Sequence, residues 1–165
     1  MTIKPVVKTL TVKASPERAF EAFTASMGQW WPRSHTIGAT PFVAVVMEPR
    51  VGGRWYERAA DGAETNWGKV LAWDPPRSFV LAWQISADWA YDPDLLTEVE
   101  VRFEGKGDGT TAVTLEHRRL ELFGERAQAM ADTFDGGWVS VVQHFVDFVG
   151  GSASEAERAE TEKAK

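Results

Sequence analysis

The chain has no cysteine, which excludes disulfides, thiolate metal sites and a cysteine nucleophile. It also lacks an excess of positive charge. There are 18 Lys and Arg against 24 Asp and Glu, a net charge of −6, and no basic block. Nucleic-acid phosphates select a basic face, so nucleic acid is not an expected partner. Long hydrophobic runs are missing too. Nothing approaches the length of a membrane span, and residues 1–8 lack the apolar core of a secretory leader. These absences suit a reducing cytosol, and a cytoplasmic protein is the expectation. Histidine is scarce. His35, His117 and His144 share no metal-ligand spacing, so neither a metal nor a cofactor is expected. The aspartates at 88, 92 and 94 do not follow a calcium-loop spacing. A Gly-x-Ser-x-Gly elbow, a phosphate loop and a dinucleotide fingerprint are all absent.

Aromatic residues are abundant, with 8 Trp and 9 Phe in 165 residues. A chain of this length makes one domain, with roughly 70% of its unfolded surface buried. We place that domain at residues 1–150, followed by a flexible charged tail at 151–165.

Residues 3–13 are rich in Val, Thr and Leu and form an opening strand. Ser15-Pro16-Glu17 starts a short helix, with serine as cap and proline in the first turn. Gly28 is expected to break that helix, and Gln29-Trp30-Trp31-Pro32 to form a second short one. A loop covers 33–41. Strands follow at 42–48, 54–58, 65–73 and 78–85, punctuated by Gly52-Gly53, Asp61-Gly62 and Asp74-Pro75-Pro76-Arg77. A longer loop, 86–96, carries Trp89 and Tyr91. Val99, Val101 and Phe103 alternate with charged residues, the period of a half-buried strand. Gly105-Lys-Gly-Asp-Gly109 turns the chain into a strand bearing Val113, Leu115 and His117. From Glu125 the period changes. Met130, Phe134, Trp138, Val141, Phe145 and Phe148 recur at three and four, which gives a long amphipathic helix. Gly136-Gly137 within it allows either a close approach or a local bend.

The order is strand, two short helices, six strands, long helix. It predicts an α+β protein: a curved antiparallel sheet of about seven strands wrapped around a long C-terminal helix. Such a sheet closed by one helix leaves an internal cavity.

Six segments in this order carry a family resemblance. They are Ser15-Pro-Glu-Arg-Ala-Phe-Glu-Ala-Phe23, Gln29-Trp-Trp31, Pro49-Arg-Val-Gly-Gly-Arg-Trp55, Asp74-Pro-Pro-Arg77 with Leu81-Ala-Trp83, Gly107-Asp-Gly-Thr-Thr111, and Gly136-Gly-Trp138. Together they resemble the START-like (SRPBCC) superfamily, in the group named after the activator of the heat-shock-protein-90 ATPase. The resemblance implies a helix-grip (START/Bet v-like) fold with a cavity between sheet and helix. It carries no shared catalytic signature. Its name raises a heat-shock protein as a partner. This chain departs from the group at Glu57, where an apolar residue is usual.

By period-two geometry Glu57 shares a sheet face with Trp55. An inward carboxylate is a candidate acid, base or polar anchor. The alternative is a rim position paired with Arg54 or Arg58. His117, on the inward face of its strand, is a candidate acid/base partner or ligand donor, or a histidine bonded to a backbone carbonyl. His35 stands in a loop beside the Trp pair, within reach of a cavity mouth. Trp31, Trp55, Trp83, Phe134 and Trp138 are candidate cavity walls, or plain core. Trp89 and Tyr91 are candidate gate residues, or a self-packed loop. The leading reading is a module that binds a hydrophobic or aromatic small molecule. The second is a cyclase, dehydratase or hydrolase using Glu57 and His117. The third is a co-chaperone-like interaction module.

Overall fold

The computed structural model describes residues 3–153. Strand β1 (Val6–Val12) leads to helices α1 (Pro16–Thr24) and α2 (Met27–Trp30). Then come β2 (Phe42–Met47), β3 (Arg54–Ala59), β4 (Glu64–Asp74), β5 (Ser78–Trp83), β6 (Thr97–Gly105) and β7 (Thr111–Arg118). A 3-10 turn, Leu120–Arg126, enters the long helix α3 (Ala127–Val149), and β8 (Gly151–Ala153) follows. The strands form one sheet in the order β2-β3-β4-β5-β6-β7-β1-β8, with every neighbouring pair antiparallel. This is the helix-grip arrangement, seven long strands curled around α3, with β8 added at the β1 edge.

Alternation decides which side chains enter the core. In β7 the buried residues are Thr111, Val113, Leu115 and His117, every second position. In β6 they are Thr97, Val99, Val101 and Phe103. Helix α3 answers with Met130, Phe134, Trp138, Val141, Val142 and Phe145, spaced to lie on one stripe. Gly136 and Gly137 both continue the helix.

The start of α1 follows the sequence signal. The Ser15 side chain accepts from the Arg18 N–H at 3.1 Å, and Pro16 occupies the first turn. Its end does not. The helix stops at Thr24, and Gly28 lies inside α2 rather than breaking α1. A β-carbon at Gly28 would stand 2.8 Å from the Val45 nitrogen. Glycine is there so that α2 can press on β2. The expected flexible tail differs at its first residues, because 151–153 pair with β1. The remaining tail, 154–165, lies outside the described residues.

Strand β4 carries the irregularity that matters most for the site. Trp55 pairs with Gly68 and Tyr56 with Asn66, so Trp67 is an extra residue opposite β3. Counting by twos from buried Val70 and Gly68 would send Trp67 outward. The bulge reverses the phase, and Trp67 is 1% exposed. Gly68 makes this possible, since a β-carbon there would lie 1.8 Å from the Ala82 carbonyl oxygen.

Candidate functional site

A cavity of about 320 Å³ lies between the 33–41 loop and strands β4 and β5. Its apolar wall is Trp31, Trp67, Trp83 and Trp89 with Ile37 and Ile85, and Ser34, His35 and Thr36 supply its polar side. A second lobe of about 110 Å³ extends toward α3, where Phe134, Gly137, Trp138 and Val141 line it. Trp31, His35, Trp83 and Trp89 border both lobes. The wall is built from ring contacts. Trp31 and Trp67 have centroids 5.1 Å apart, Trp83 and Phe134 5.4 Å, and Trp83 and Trp138 5.6 Å. Pairs at such spacings contribute about 0.5–1.5 kcal/mol each beyond burial. The Trp83 indole nitrogen is buried with no hydrogen-bond partner among the described residues.

Glu57 is 2% exposed and points to the same interior as Trp55. It does not pair with arginine. Arg54 and Arg58 both bind Glu64, at 3.0 and 3.3 Å. Glu57 Oε1 instead accepts from the Trp67 indole N–H and the Ile37 backbone N–H, each at 2.8 Å. Its Oε2 accepts from the Thr36 hydroxyl. Glu57 therefore ties two residues of the 33–41 loop to the sheet. It does not line either lobe. A β-carbon on Gly38 would stand 2.8 Å from Oε2, so glycine lets the loop settle over the carboxylate.

His117 is fully buried and likewise lines neither lobe. Its Nδ1 accepts from the Trp138 indole at 3.2 Å, and its Nε2 lies 3.1 Å from Thr97 Oγ1. The Thr97 hydroxyl donates to the Trp83 carbonyl at 2.9 Å. Its proton thus spent, Thr97 accepts from Nε2–H, and this assigns the neutral Nε2–H tautomer. Burial pushes the His117 pKa down to about 3. This ring is a fixed joint between β6, β7 and α3. Its partners are side chains rather than the backbone carbonyl considered from sequence.

His35 differs from both. It is half-buried and borders both lobes. Its N–H donates to the Pro32 carbonyl at 3.0 Å, and its own carbonyl accepts from the Trp31 indole at 2.8 Å. Ser34 Oγ lies 3.1 Å from Nδ1. Burial lowers the His35 pKa from 6.5, with His144 adding to the effect and the nearby Gly137 backbone opposing it.

Trp89 borders both lobes from the 86–96 loop and is 46% exposed. Its backbone is left-handed, φ 60°, a conformation costing about 1–2 kcal/mol outside glycine. The loop is held by the Ile85–Tyr91 bridge, and by Arg126 bonding Asp88 at 2.8 Å and the Ala87 carbonyl at 3.1 Å. Tyr91 stands outside the lining. Trp55 lies behind it, where its indole reaches Met27 Sδ at 3.3 Å. Of the residues singled out from sequence, Trp31, His35, Trp83, Trp89, Phe134 and Trp138 meet at the cavity. Trp67, Ser34, Thr36, Ile37 and Ile85 were not singled out. Among the described residues no three His, Asp or Glu side chains converge as a metal site, and no helix is long and apolar enough to cross a membrane.

A curved antiparallel sheet, a long C-terminal helix and a cavity beside it define the helix-grip class of START-like proteins. Within that class the chain belongs to the family described as activator of Hsp90 ATPase homolog 1-like protein, whose model matches residues 13–150. Among solved structures it is similar to an anthrahydroquino-γ-pyrone synthase, Txn09, complexed with SUM. That match has 39% identity, covers 81% of this chain and 88% of that one, and has a TM-score of 0.57. It is also similar to the self-sacrificing resistance protein CalC from Micromonospora echinospora. Here identity is 30%, coverage 88% and 94%, and the TM-score 0.68. The Aha1 dimer from Colwellia psychrerythraea shares the fold, at 16% identity, 84% and 92% coverage and a TM-score of 0.54. No curated protein matches the chain.

Proposed function

We propose that this protein binds a flat, largely apolar aromatic molecule in the two-lobed cavity. The observation that carries the reading is the wall itself: Trp31, Trp83 and Trp89 border both lobes, with a polar edge at Ser34, His35 and Thr36. Fused aromatic rings suit indole surroundings, and ring oxygens suit the polar edge. The buried Trp83 N–H adds to this. A ligand carbonyl that reached it would satisfy a donor otherwise left at a cost of about 1–3 kcal/mol. The likeness to an anthrahydroquino-γ-pyrone synthase supports the same ligand class, oxygenated fused rings.

The test is titration with 1,2-dihydroxyanthraquinone, followed by quenching of tryptophan fluorescence. Saturable quenching is expected. Trp89→Ala removes a wall residue that is already half outside the core, so it should weaken binding about tenfold with little change in melting temperature. Equal affinity in the variant would take Trp89 out of the site. No quenching in either protein would overturn the reading.

A further inference from the structure

We propose that His35 is the proton-transfer residue of this cavity, taking a phenolic or enolic proton from the bound aromatic molecule through the Ser34 hydroxyl. The inference rests on the aromatic-ligand reading above and adds a chemical step to it.

Among the described residues that line the two lobes, His35 is the one ionisable side chain. The carboxylate and imidazole that sequence favoured are both committed elsewhere. Glu57 takes three donors from Trp67, Ile37 and Thr36, and His117 is locked between Trp138 and Thr97. His35 stands where the lobes meet. Its peptide is fixed on both sides by Pro32 and Trp31, and the next two residues are fixed by Glu57. A base must be held within hydrogen-bond reach of the proton it removes, and these bonds hold it.

The ring's two nitrogens have distinct surroundings. A β-carbon on Gly137 would stand 3.8 Å from Nε2, so this edge of the ring lies against the α3 backbone. For Nδ1 to accept, the neutral ring carries its proton on Nε2. Nδ1 then carries the lone pair, and it faces Ser34 Oγ at 3.1 Å. A hydroxyl within hydrogen-bond reach of an imidazole nitrogen is the arrangement in which a hydroxyl passes a proton to the ring.

The step balances without another reactant. The ligand O–H bond breaks and its proton goes to Ser34 Oγ. The Ser34 proton goes to Nδ1 of His35. A neutral phenol and a neutral imidazole become an aryl oxide and an imidazolium, with the Nε2 proton retained. The nearby titratable groups are His144 on α3 and Glu57 on β3, the second reached through Thr36 and Ile37. Because burial lowers its pKa below 6.5, His35 is neutral and able to accept a proton at neutral pH. Acidification through that lowered value would remove the ability.

The experiment uses the full chain and 1,2-dihydroxyanthraquinone, whose visible band moves to longer wavelength when a phenolic proton is lost. Absorption of the bound dye is read across pH at saturating protein, in the native protein, His35→Gln and Ser34→Ala. The native protein should ionise the dye at a pH lower by about one unit or more than either variant does. Ser34 is exposed, so Ser34→Ala carries the comparison if His35→Gln fails to fold. Identical ionisation of bound dye in all proteins would overturn the proposal and leave the binding reading standing. Failure of 9,10-anthraquinone and its dihydroxy derivative alike to quench tryptophan fluorescence would overturn the binding reading, and the proposal with it.

Discussion

Glu57 and His117 look alike in sequence, two polar residues on inward faces, and the structure uses both as fasteners. Replacing Glu57 with Ala would strand the Trp67 indole, the Ile37 amide and the Thr36 hydroxyl. We expect a loss of about 3 kcal/mol in urea unfolding, with the 33–41 loop cut faster by protease. Unchanged stability would show that Glu57 does not clasp the loop. The His117 prediction concerns pH. The folded protein keeps His117 neutral down to about 3, whereas the unfolded chain takes a proton below 6.5. Between those values the unfolded state binds more protons, so stability falls as pH drops, by about 1.4 kcal/mol per unit. Unfolding at pH 5 should therefore show about 2 kcal/mol less stability than at pH 7 from this residue. His117→Gln should remove most of that slope, and a slope that survived in the variant would belong to other groups. The inward direction of both residues was legible, because period two fixes it. Their partners were not, since Thr36, Ile37 and Trp138 come from distant parts of the chain and are joined to them only by the fold.

At the level of elements, β4 decides what the cavity is made of. The bulge at Trp67 turns a side chain that strict alternation would expose onto the concave face. That explains why Trp67 escaped the sequence reading: one extra residue inverts the phase, and nothing in the local pattern marks it except the neighbouring Gly68. The glycine is required there, with 1.8 Å between a notional β-carbon and the Ala82 carbonyl oxygen. Gly68→Ala should cost about 3 kcal/mol or force β4 and β5 apart, read as a lowered melting temperature and altered indole N–H signals of Trp67 and Trp83. A variant with native stability and spectrum would contradict the bulge as described. Gly28 hides its role in the sequence for a similar reason. In sequence it looks like a helix breaker, but its meaning comes from β2 pressing on α2. The long helix α3 was legible, because its apolar stripe repeats over six turns and matches no other element.

For the whole molecule, the succession of strand, short helices, strands and long helix carried the fold. Tight turns at Gly52-Gly53, Asp61-Gly62 and Gly107 to Gly109 leave little choice but an antiparallel meander. That architecture predicts a cavity between sheet and helix, whereas the larger lobe lies between the 33–41 loop and strands β4 and β5. Its position depends on how two irregular loops, 33–41 and 86–96, lie against the sheet. Those loops supply His35 and Trp89, and each is fixed by a few long-range bonds: Glu57 to Thr36 and Ile37, and Arg126 to Asp88.

Whether the cavity takes an aromatic ligand is decided by an NMR titration of the tryptophan indole N–H signals with 1,2-dihydroxyanthraquinone. Trp31, Trp67, Trp83 and Trp89 surround the larger lobe, whereas Trp73 packs on Phe20 and Phe79, outside both lobes. Saturable shifts are expected for the first four and none for Trp73. Shifts centred on Trp73, or none at all, would contradict binding in this cavity.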